Sequence, residues 1–361
     1  MFQDTRKPLR MWFRAVWHVT SQKNGASAVA VQQVLGLGSY QTAWTWLHKL
    51  RRAMVACGLV AAMACAATGS STAAEMPAAA DVSTEGPPAL AVYQWLDVDG
   101  NPLPFQDHAA IQEALRSATV VSRKKIGRGV AGAEKLVLEL GGTRFHAAFR
   151  TIDVSVRPPP SGGTTRPTLK YRDAAIFEVA AYELSELLGL GRVPPAVPRR
   201  IDERAGTVQI WLEGTRPEVE LLEQGALTPP DEARWRRQKQ VMRVFDSLIA
   251  NNDRNQGNLL IDAEWDIWLI DHTRAFKQSS ELFEREKLTG CERSLWSALQ
   301  GLDEAVIRER LGPYLESREI ASLLRRREKL LDHLQGLIEK EGEEAVLFDL
   351  PFSVAAARPR P

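Results

Sequence analysis

Hydrophobic residues recur along this chain in two kinds of spacing, and the change between them lies near residue 92. Before it, residues 27–36 and 40–55 each carry apolar side chains at helical spacing on either side of a short Gly-containing turn. This pattern predicts a helix-turn-helix, and a plain helical hairpin would have the same pattern. Beyond residue 92, strand-like and helix-like runs alternate, which predicts a mixed α+β region.

The first strands are predicted on either side of a Gly-Gly turn. Residues 135–140 and 143–153 flank that turn as a β-hairpin. Just upstream, Gly127, Gly129 and Gly132 form a GxGxxG motif. A glycine loop on a strand hairpin lets backbone amides approach phosphates. By itself the motif is weak, and no helix follows it directly, as a dinucleotide site would require.

A helix is predicted next over 176–188, where apolar residues recur at helical spacing and two glycines follow. Glu178 lies nearly opposite the apolar stripe of this helix. Two interpretations are open: a solvated carboxylate, or a carboxylate that faces a cleft and pairs with a cation.

The most informative stretch is residues 241–276, where a helix, a polar loop and two short apolar runs follow one another. Thr228, followed by two prolines, predicts the start of the helix. The residues predicted for its buried face are Val241, Val244, Phe245, Leu248 and Ile249. Polar residues between a helix and a hairpin can be ordinary turn chemistry, so the spacing of the acids decides the interpretation.

The two apolar runs flank an acidic turn and predict a second hairpin. If Asp262 pairs with Ile267, Asn258 faces Asp271 at the open end. An amide oxygen and a carboxylate are hard oxygen ligands that suit Mg²⁺ or Mn²⁺, with ATP phosphates and water completing the shell. The pattern therefore predicts a metal site at this end.

Asp253 precedes Asn258 by five residues, which is the offset between the base and the metal-binding Asn of kinase catalytic loops. Phosphoryl transfer requires little covalent chemistry from a protein. An Asp that orients the acceptor hydroxyl and a metal that offsets phosphate charge are the minimum. This arrangement predicts Asp253 as the catalytic Asp that orients the acceptor hydroxyl.

Near the C-terminus, helices are predicted from Asp303 through a Leu-rich segment at 320–338. The Arg-rich run 325–328 within that segment predicts a solvated helix face.

Composition narrows the functional classes. The chain has 46 Lys and Arg against 45 Asp and Glu, a formal net charge of +1. No global field favours nucleic acid or an acidic membrane surface. The three cysteines, Cys57, Cys65 and Cys291, lack a zinc-ligand spacing, which favours unpaired thiols.

An uncharged Ala-rich run occupies residues 53–67. It is shorter than the roughly 20 residues of a membrane span, so no stable span is expected. Residues 49–74 have the pattern of a secretory signal, although about 48 residues precede the apolar run, which is unusual for a signal peptide. The alternatives are a secreted, periplasmic or cell-envelope protein and a cytoplasmic protein with an Ala-rich linker.

Residues 2–55 resemble the DNA-binding helix-turn-helix segment of zinc-ribbon insertion-sequence transposases. No Cys-rich ribbon precedes this segment and no acidic-triad core follows it, so it is interpreted as a transposase remnant. The resemblance implies DNA binding through residues 1–55 as one alternative function.

Two motifs resemble the atypical kinases that unite phosphatidylinositol kinases, HipA-type toxin kinases and secretory-pathway kinases. They are Asn-Asp-Arg-Asn-Gln-Gly-Asn at 252–258 and Leu-Ile-Asp-His at 269–272, with the Glu178 helix upstream, and the resemblance covers about 118–345. It implies an α+β, two-lobed protein-kinase-like fold that binds ATP with Mg²⁺ or Mn²⁺. That fold has a small antiparallel β lobe and a mostly helical lobe, here preceded by a short helical N-terminal segment. The implied roles are catalytic Asp253, metal ligands Asn258 and Asp271, ion-pair Glu178, and Gly127, Gly129 and Gly132 near the phosphates.

Arg150 stands where this family has its phosphate-binding Lys. Arg retains the charge, but its planar fork does not replace a compact ammonium at a phosphate. Lys170 is an alternative cation, although an exposed lysine is its plainer interpretation. Two functions therefore remain open. One is an ATP phosphotransferase acting on a protein, lipid or small-molecule hydroxyl, and the other is an ATP-binding pseudokinase.

The expected organisation follows from these patterns. We predict a transposase-like remnant at 1–55, a signal-like segment or linker at 56–91, an N-lobe at 92–208, a C-lobe at 209–345 and a tail at 346–361.

Overall fold

The computed structural model describes residues 93–126, 133–156 and 171–350, together with Leu35. The chain divides into two compact units, Met1–Glu85 and Gly86–Pro361, and all described residues except Leu35 belong to the second. Several sequence predictions fall outside the described residues: those on the transposase-like segment, the signal-like segment, Gly127, Gly129, Gly132 and Lys170.

The smaller lobe is a five-stranded antiparallel sheet. Its strands are β1 (Thr119–Lys125), β2 (Glu134–Leu140), β3 (Thr143–Arg150), β6 (Ala196–Ile201) and β7 (Arg204–Ile210). They lie in the order β1-β2-β3-β7-β6. A helix, α1 (His108–Ser117), precedes the sheet and packs against it. The predicted hairpin is confirmed, since Leu140 pairs with Thr143 across the Gly-Gly turn.

Between the third and sixth strands lie a short hairpin and a buried helix. The hairpin pairs β4 (Asp153–Val156) with β5 (Tyr171–Ala174). The helix, α2 (Ile176–Leu187), confirms the predicted one. It packs against β6 and β7 on one side and against a helix of the larger lobe on another. A helix covered on several sides can present a charged residue only to a buried partner.

The larger lobe is mostly helical. Its helices are α3 (Glu218–Glu223), α4 (Glu232–Leu248), α5 (Arg293–Gly301), α6 (Glu304–Leu311), α7 (Ser317–Glu341) and α8 (Glu343–Val346). Its short strands are β8 (Arg216–Pro217), β9 (Leu259–Ile261), β10 (Ile267–Leu269), β11 (Cys291–Glu292) and β12 (Leu347–Phe348). The predicted two-lobed α+β fold, with a small antiparallel β lobe and a mostly helical lobe, is confirmed.

Helix α4 begins slightly later than predicted. Its N-cap is Asp231, whose carboxylate accepts a hydrogen bond from the Arg234 backbone N–H at 2.9 Å, and not Thr228. A capping carboxylate satisfies one of the free N–H groups of the first turn, which the prolines before it cannot do. The predicted buried face is confirmed, because each of its apolar residues is at most 3% exposed.

The β9–β10 hairpin has a register one residue away from the prediction. Ile261 pairs with Ile267, and the Ile270 backbone N–H donates to the Asn258 carbonyl at 3.2 Å, so Asn258 faces Ile270 and not Asp271. The reason is the turn. The Asp262 backbone N–H donates to the Asp266 carbonyl at 3.2 Å, which closes a three-residue loop. Trp265 in that loop takes a left-handed φ of 62°, whereas the prediction assumed a four-residue loop.

Arg326 contradicts the predicted solvated face of the C-terminal helix α7. Its side chain is fully buried and donates to the carbonyls of Leu248 at 2.7 Å and Lys277 at 2.8 Å, and also to that of Ser279. Burial, and then the neighbouring Arg325, lower the pKa of Arg326 to about 9. Arg326 therefore ties the end of α4 to the segment that follows the hairpin.

Cys291 is a free, buried thiol, in agreement with the prediction for that residue; Cys57 and Cys65 lie outside the described residues. Burial raises the pKa of the Cys291 thiol, so the thiol is protonated and inert. Within the described ranges, no helix combines the length and apolarity that crossing a bilayer requires.

Candidate functional site

Arg150, the last residue of β3, and Glu178, in the first turn of α2, form an ion pair between the sheet and the helix. Arg150 Nη1 lies 3.5 Å from Glu178 Oε1. Glu178 is fully buried, which excludes its interpretation as a solvated carboxylate. Gly206 on β7 lets β7 lie close to β3, because a Cβ there would collide with the Arg150 carbonyl oxygen.

Glu178 also accepts hydrogen bonds from His272, the residue after Asp271. The His272 backbone N–H donates to Oε1 at 3.0 Å, and the ring Nδ1 lies 2.9 Å from Oε2. Burial alone would raise the pKa of Glu178, but the charge of Arg150 and the His272 donors outweigh it and hold the pKa at about 2. Glu178 is therefore ionised at neutral pH, as an ion pair requires.

The loop after α4 is organised by Arg254. Its Nε and Nη2 donate to the two carboxylate oxygens of Asp246, each at 2.9 Å. Its Nη1 donates to the carbonyls of Asn258 at 3.0 Å and Ile270 at 2.6 Å. Because a bidentate guanidinium fixes its own orientation, Arg254 holds the loop against the open end of the hairpin.

Asp271 lies two residues after the end of β10, with a left-handed φ of 62°. Burial raises the pKa of this half-buried carboxylate, and the charge of Glu178 raises it further, while Arg150 opposes both. From the described residues, the carboxylate accepts one hydrogen bond, from Thr273 Oγ1 at a long 3.3 Å. Most of its acceptor capacity is therefore open to a ligand.

Asn258 ends a short 3-10 turn, Gln256–Asn258, just before β9. Its Nδ2 donates weakly to the Asp253 carbonyl at 3.4 Å, which leaves the amide oxygen as an acceptor. Asn258 faces Ile270, the residue before Asp271, so the two predicted metal ligands lie at the same end of the hairpin although they are not a cross-strand pair.

This donor set suits a magnesium or manganese ion. An amide oxygen and a carboxylate are hard ligands, and a divalent cation would offset the charge of Asp271 and of the nearby Glu178. Among the described residues, no group of three or more His, Cys, Asp and Glu forms a complete cation cage. Mg²⁺ commonly binds through one or two carboxylates, with phosphate oxygens and water completing its shell.

Asp253 lies on the same loop with about half of its side chain exposed (49%), and its Oδ2 accepts from Arg274 Nη1 at 3.0 Å. Arg274 Nε donates in turn to Asp173 Oδ2 at 2.7 Å. The candidate catalytic carboxylate is thus accessible and is held by a cation from the segment that follows Asp271.

The structure brings Arg150, Glu178 and Asp271 into one electrostatic cluster. That cluster is supported by His272, Arg254 and Asp246, for which no role was predicted. A signal was present at Asp246. A carboxylate beside the buried Phe245 needs a partner, and the nearest cation in the following loop is Arg254.

No family model matches this chain. It is 28% identical over 167 residues to a 3-deoxy-D-manno-octulosonic acid kinase of Photobacterium profundum, a match that covers 42% of this chain and 69% of that protein. It is also 27% identical over 218 residues to Protein Rv2133c of Mycobacterium tuberculosis, covering 49% of this chain and 76% of that protein.

Solved structures give more remote likenesses. A hydra Fam20 with sugar has a TM-score of 0.49 at 16% identity, covering 66% of this chain and 91% of that one. A Golgi casein kinase with Mn/ADP bound has a TM-score of 0.47 at 14% identity, covering 68% and 80%. The Helicobacter pylori proinflammatory kinase CtkA has a TM-score of 0.43 at 13% identity, covering 63% and 98%. Likenesses this remote carry no inference about chemistry.

The chain has a two-lobed, kinase-like α+β fold, and one of the sequence relatives above is named as a kinase. None of these likenesses supports the transposase-like interpretation of residues 2–55.

Proposed function

We propose that this protein is a metal-dependent phosphotransferase that moves the γ-phosphate of ATP to a hydroxyl acceptor. The observation that carries the proposal is the state of Asp271. Its half-buried carboxylate has a raised pKa and spare acceptor capacity, beside a buried, ionised Arg150–Glu178 pair. A carboxylate in that setting fits a cation-and-phosphate site better than a structural role.

In this proposal each residue of the candidate site has one role. Arg150, oriented by Glu178, binds phosphate oxygens, and Asn258 and Asp271 hold Mg²⁺ or Mn²⁺. The metal, when bound, offsets the negative charge of the phosphates. Gly127, Gly129 and Gly132 remain expected phosphate neighbours from the sequence alone.

Asp253 is proposed to orient the acceptor hydroxyl and to accept its proton as the hydroxyl oxygen bonds to the γ-phosphorus and the bond from that phosphorus to the departing ADP breaks. Its exposure fits a group that must reach a second substrate. Arg274 orients this carboxylate, and it has to share or release it when the acceptor arrives.

The acceptor class is open among sugar acid, protein and lipid. The kinase relative is named for 3-deoxy-D-manno-octulosonic acid, so a sugar acid is the first acceptor to test. DNA binding by residues 1–55 and export through residues 49–74 rest on the sequence alone.

A second candidate, an ATP-binding pseudokinase, is favoured by Arg150. This guanidinium is largely buried, with 12% of its side chain exposed, and a planar fork held in that position has little freedom to follow a phosphate through transfer.

The test is phosphotransfer from γ-labelled ATP by the full chain, first with Mg²⁺ and then with Mn²⁺. The acceptors are 3-deoxy-D-manno-octulosonic acid, an unfolded protein and phosphatidylinositol vesicles, alongside a no-acceptor reaction. We expect label transfer that is lost in Asp271→Asn and retained in Asp332→Asn, an exposed acid on α7. Nucleotide binding without turnover, with turnover appearing in Arg150→Lys, supports the pseudokinase. Failure of the full chain to bind nucleotide overturns both candidates.

A further inference from the structure

His272 stands at the junction of two networks that the proposed roles treat separately. On one side is the Arg150–Glu178 pair, and on the other is the loop organised by Arg254. The ring is fully buried, so its nitrogens must find partners inside the protein. Nδ1 lies 2.9 Å from Glu178 Oε2, and Nε2 lies 3.0 Å from Arg254 Nη2.

The chemistry of the two partners determines where the ring proton lies. An arginine can only donate, so Nε2 must accept. The ionised Glu178 can only accept, so Nδ1 must carry the proton and donate. The ring therefore donates from Nδ1 and accepts at Nε2, and it transmits the orientation of one group to the other.

We propose that His272 is a positioning residue that couples the phosphate-binding pair to the catalytic loop. This inference deepens the proposed phosphotransfer function and rests on it. His272 touches neither substrate nor metal in this role. It sets the position of Glu178 through its backbone N–H and its ring, and through Arg254 it sets the loop that carries Asp253 and Asn258.

The two links are separable because each network has further anchors. Glu178 retains Arg150 if His272 is lost. Arg254 retains Asp246 and two main-chain carbonyls. Loss of the ring should therefore uncouple the networks and leave each of them largely assembled. A residue that serves only to fill the core would affect both networks together.

Two substitutions break the links one at a time. His272→Asn places an amide nitrogen near the position of Nδ1, so it can still donate to Glu178 but cannot reach Arg254. His272→Gln can place an amide oxygen near the position of Nε2, so it can accept from Arg254 but not serve Glu178. Both side chains are neutral and polar, and each is the matched control of the other.

Steady-state kinetics on the full chain should separate the two variants. We expect His272→Asn to lower kcat by about 10- to 100-fold, the usual cost of losing an outer-shell partner, with KM for ATP within about twofold of the parent. For His272→Gln we expect KM for ATP to rise by about tenfold with a smaller change in kcat. Equal losses in kcat and KM for both variants would overturn the coupling role.

Hydrogen–deuterium exchange gives a measurement that does not need activity. The amides of residues 251–258 should exchange faster in His272→Asn than in His272→Gln. If the parent shows no phosphotransfer but this exchange difference appears, the proposed function fails and the coupling stands. If the parent is active and the exchange is the same in both variants, the coupling fails and the function stands.

If neither variant folds, the histidine ¹⁵N spectrum of the unsubstituted chain decides the question. We expect a histidine with the proton on Nδ1 and a bare Nε2. A spectrum in which none of the six histidines has that tautomer would overturn the proposal.

Discussion

The two ends of the β9–β10 hairpin both carry acidic residues, but the acids differ in how completely their neighbours satisfy them. At the turn, Asp266 is fully buried, with Arg192 at 2.8 Å and Arg234 also in contact. Asp262 accepts from the Asp266 backbone N–H at 2.8 Å and from the Trp268 indole N–H at 2.9 Å. These acids are saturated, and their role is structural.

At the open end, Asp271 has a single long hydrogen bond from the described residues, and burial together with the nearby charge of Glu178 raises its pKa. The two ends therefore share residue type and strand pairing but differ in hydrogen-bond saturation. Saturation, more than the presence of a carboxylate, separates a structural acid from a candidate ligand.

The largest expected effect is the loss of chemistry at the open end. We expect Asp271→Asn to lower phosphotransfer by about 10³-fold or more, because it removes a charged metal ligand. Its free energy of unfolding should stay within about 1 kcal/mol of the parent, since the carboxylate has few partners to lose. Initial rates and urea denaturation measure the two quantities. An active Asp271→Asn protein would contradict the metal-ligand role.

The same Asp→Asn substitution at the turn of the hairpin, made at Asp266, should instead lower the stability of the fold. Asp266→Asn weakens the compensation of the buried Arg192, so we expect the free energy of unfolding to fall by about 3–5 kcal/mol. Urea denaturation measures the loss, and Asp332→Asn should stay within about 0.5 kcal/mol. A stable Asp266→Asn protein would remove the contrast between the two ends.

The pH dependence of stability sharpens the contrast further. The pKa of Glu178 is lowered from its ordinary 4.5 to about 2, so its stabilisation is complete above about 4.5 and is lost as the pH falls towards 2. Glu178→Gln should therefore cost about 3 kcal/mol at neutral pH and much less near pH 2. Denaturant titrations of parent and variant between pH 2 and pH 7 check this.

Asp262, at the turn, has the opposite sign to Glu178. Burial raises the pKa of Asp262, so its contribution to stability falls as the pH rises through that raised value. A Glu178→Gln penalty that did not change with pH would contradict the assigned ion pair.

The smallest expected effect tests whether hydrogen-bond saturation also explains how Arg326 of α7 stabilises the fold. Arg326→Leu leaves buried carbonyls without a donor and should lower the free energy of unfolding by about 2–3 kcal/mol. The adjacent, exposed Arg325→Leu should change it by less than about 0.5 kcal/mol. Thermal and urea unfolding of both variants measure the difference, and equal losses would argue against the burial of Arg326.

The sequence by itself determined the secondary-structure elements and the types of side chain at the candidate site. Periodicity identified the α2 helix, the apolar face of α4 and both hairpins, because these patterns are local consequences of side-chain direction. The spacing of Asp253, Asn258 and Asp271 identified the candidate site, because residues close in sequence around one hairpin stay close in space.

Only the tertiary structure decided partners and burial. The register of β9–β10 depended on a left-handed Trp265, which propensity does not indicate at a bulky residue. The ionised state of Glu178 depends on Arg150 and His272, which lie far away in sequence. Arg326 directly follows the exposed Arg325 in an Arg-rich run and is nevertheless buried. Pairing over long sequence distances leaves no local pattern, so the coupling of the two networks through His272 could be recognised only in the folded chain.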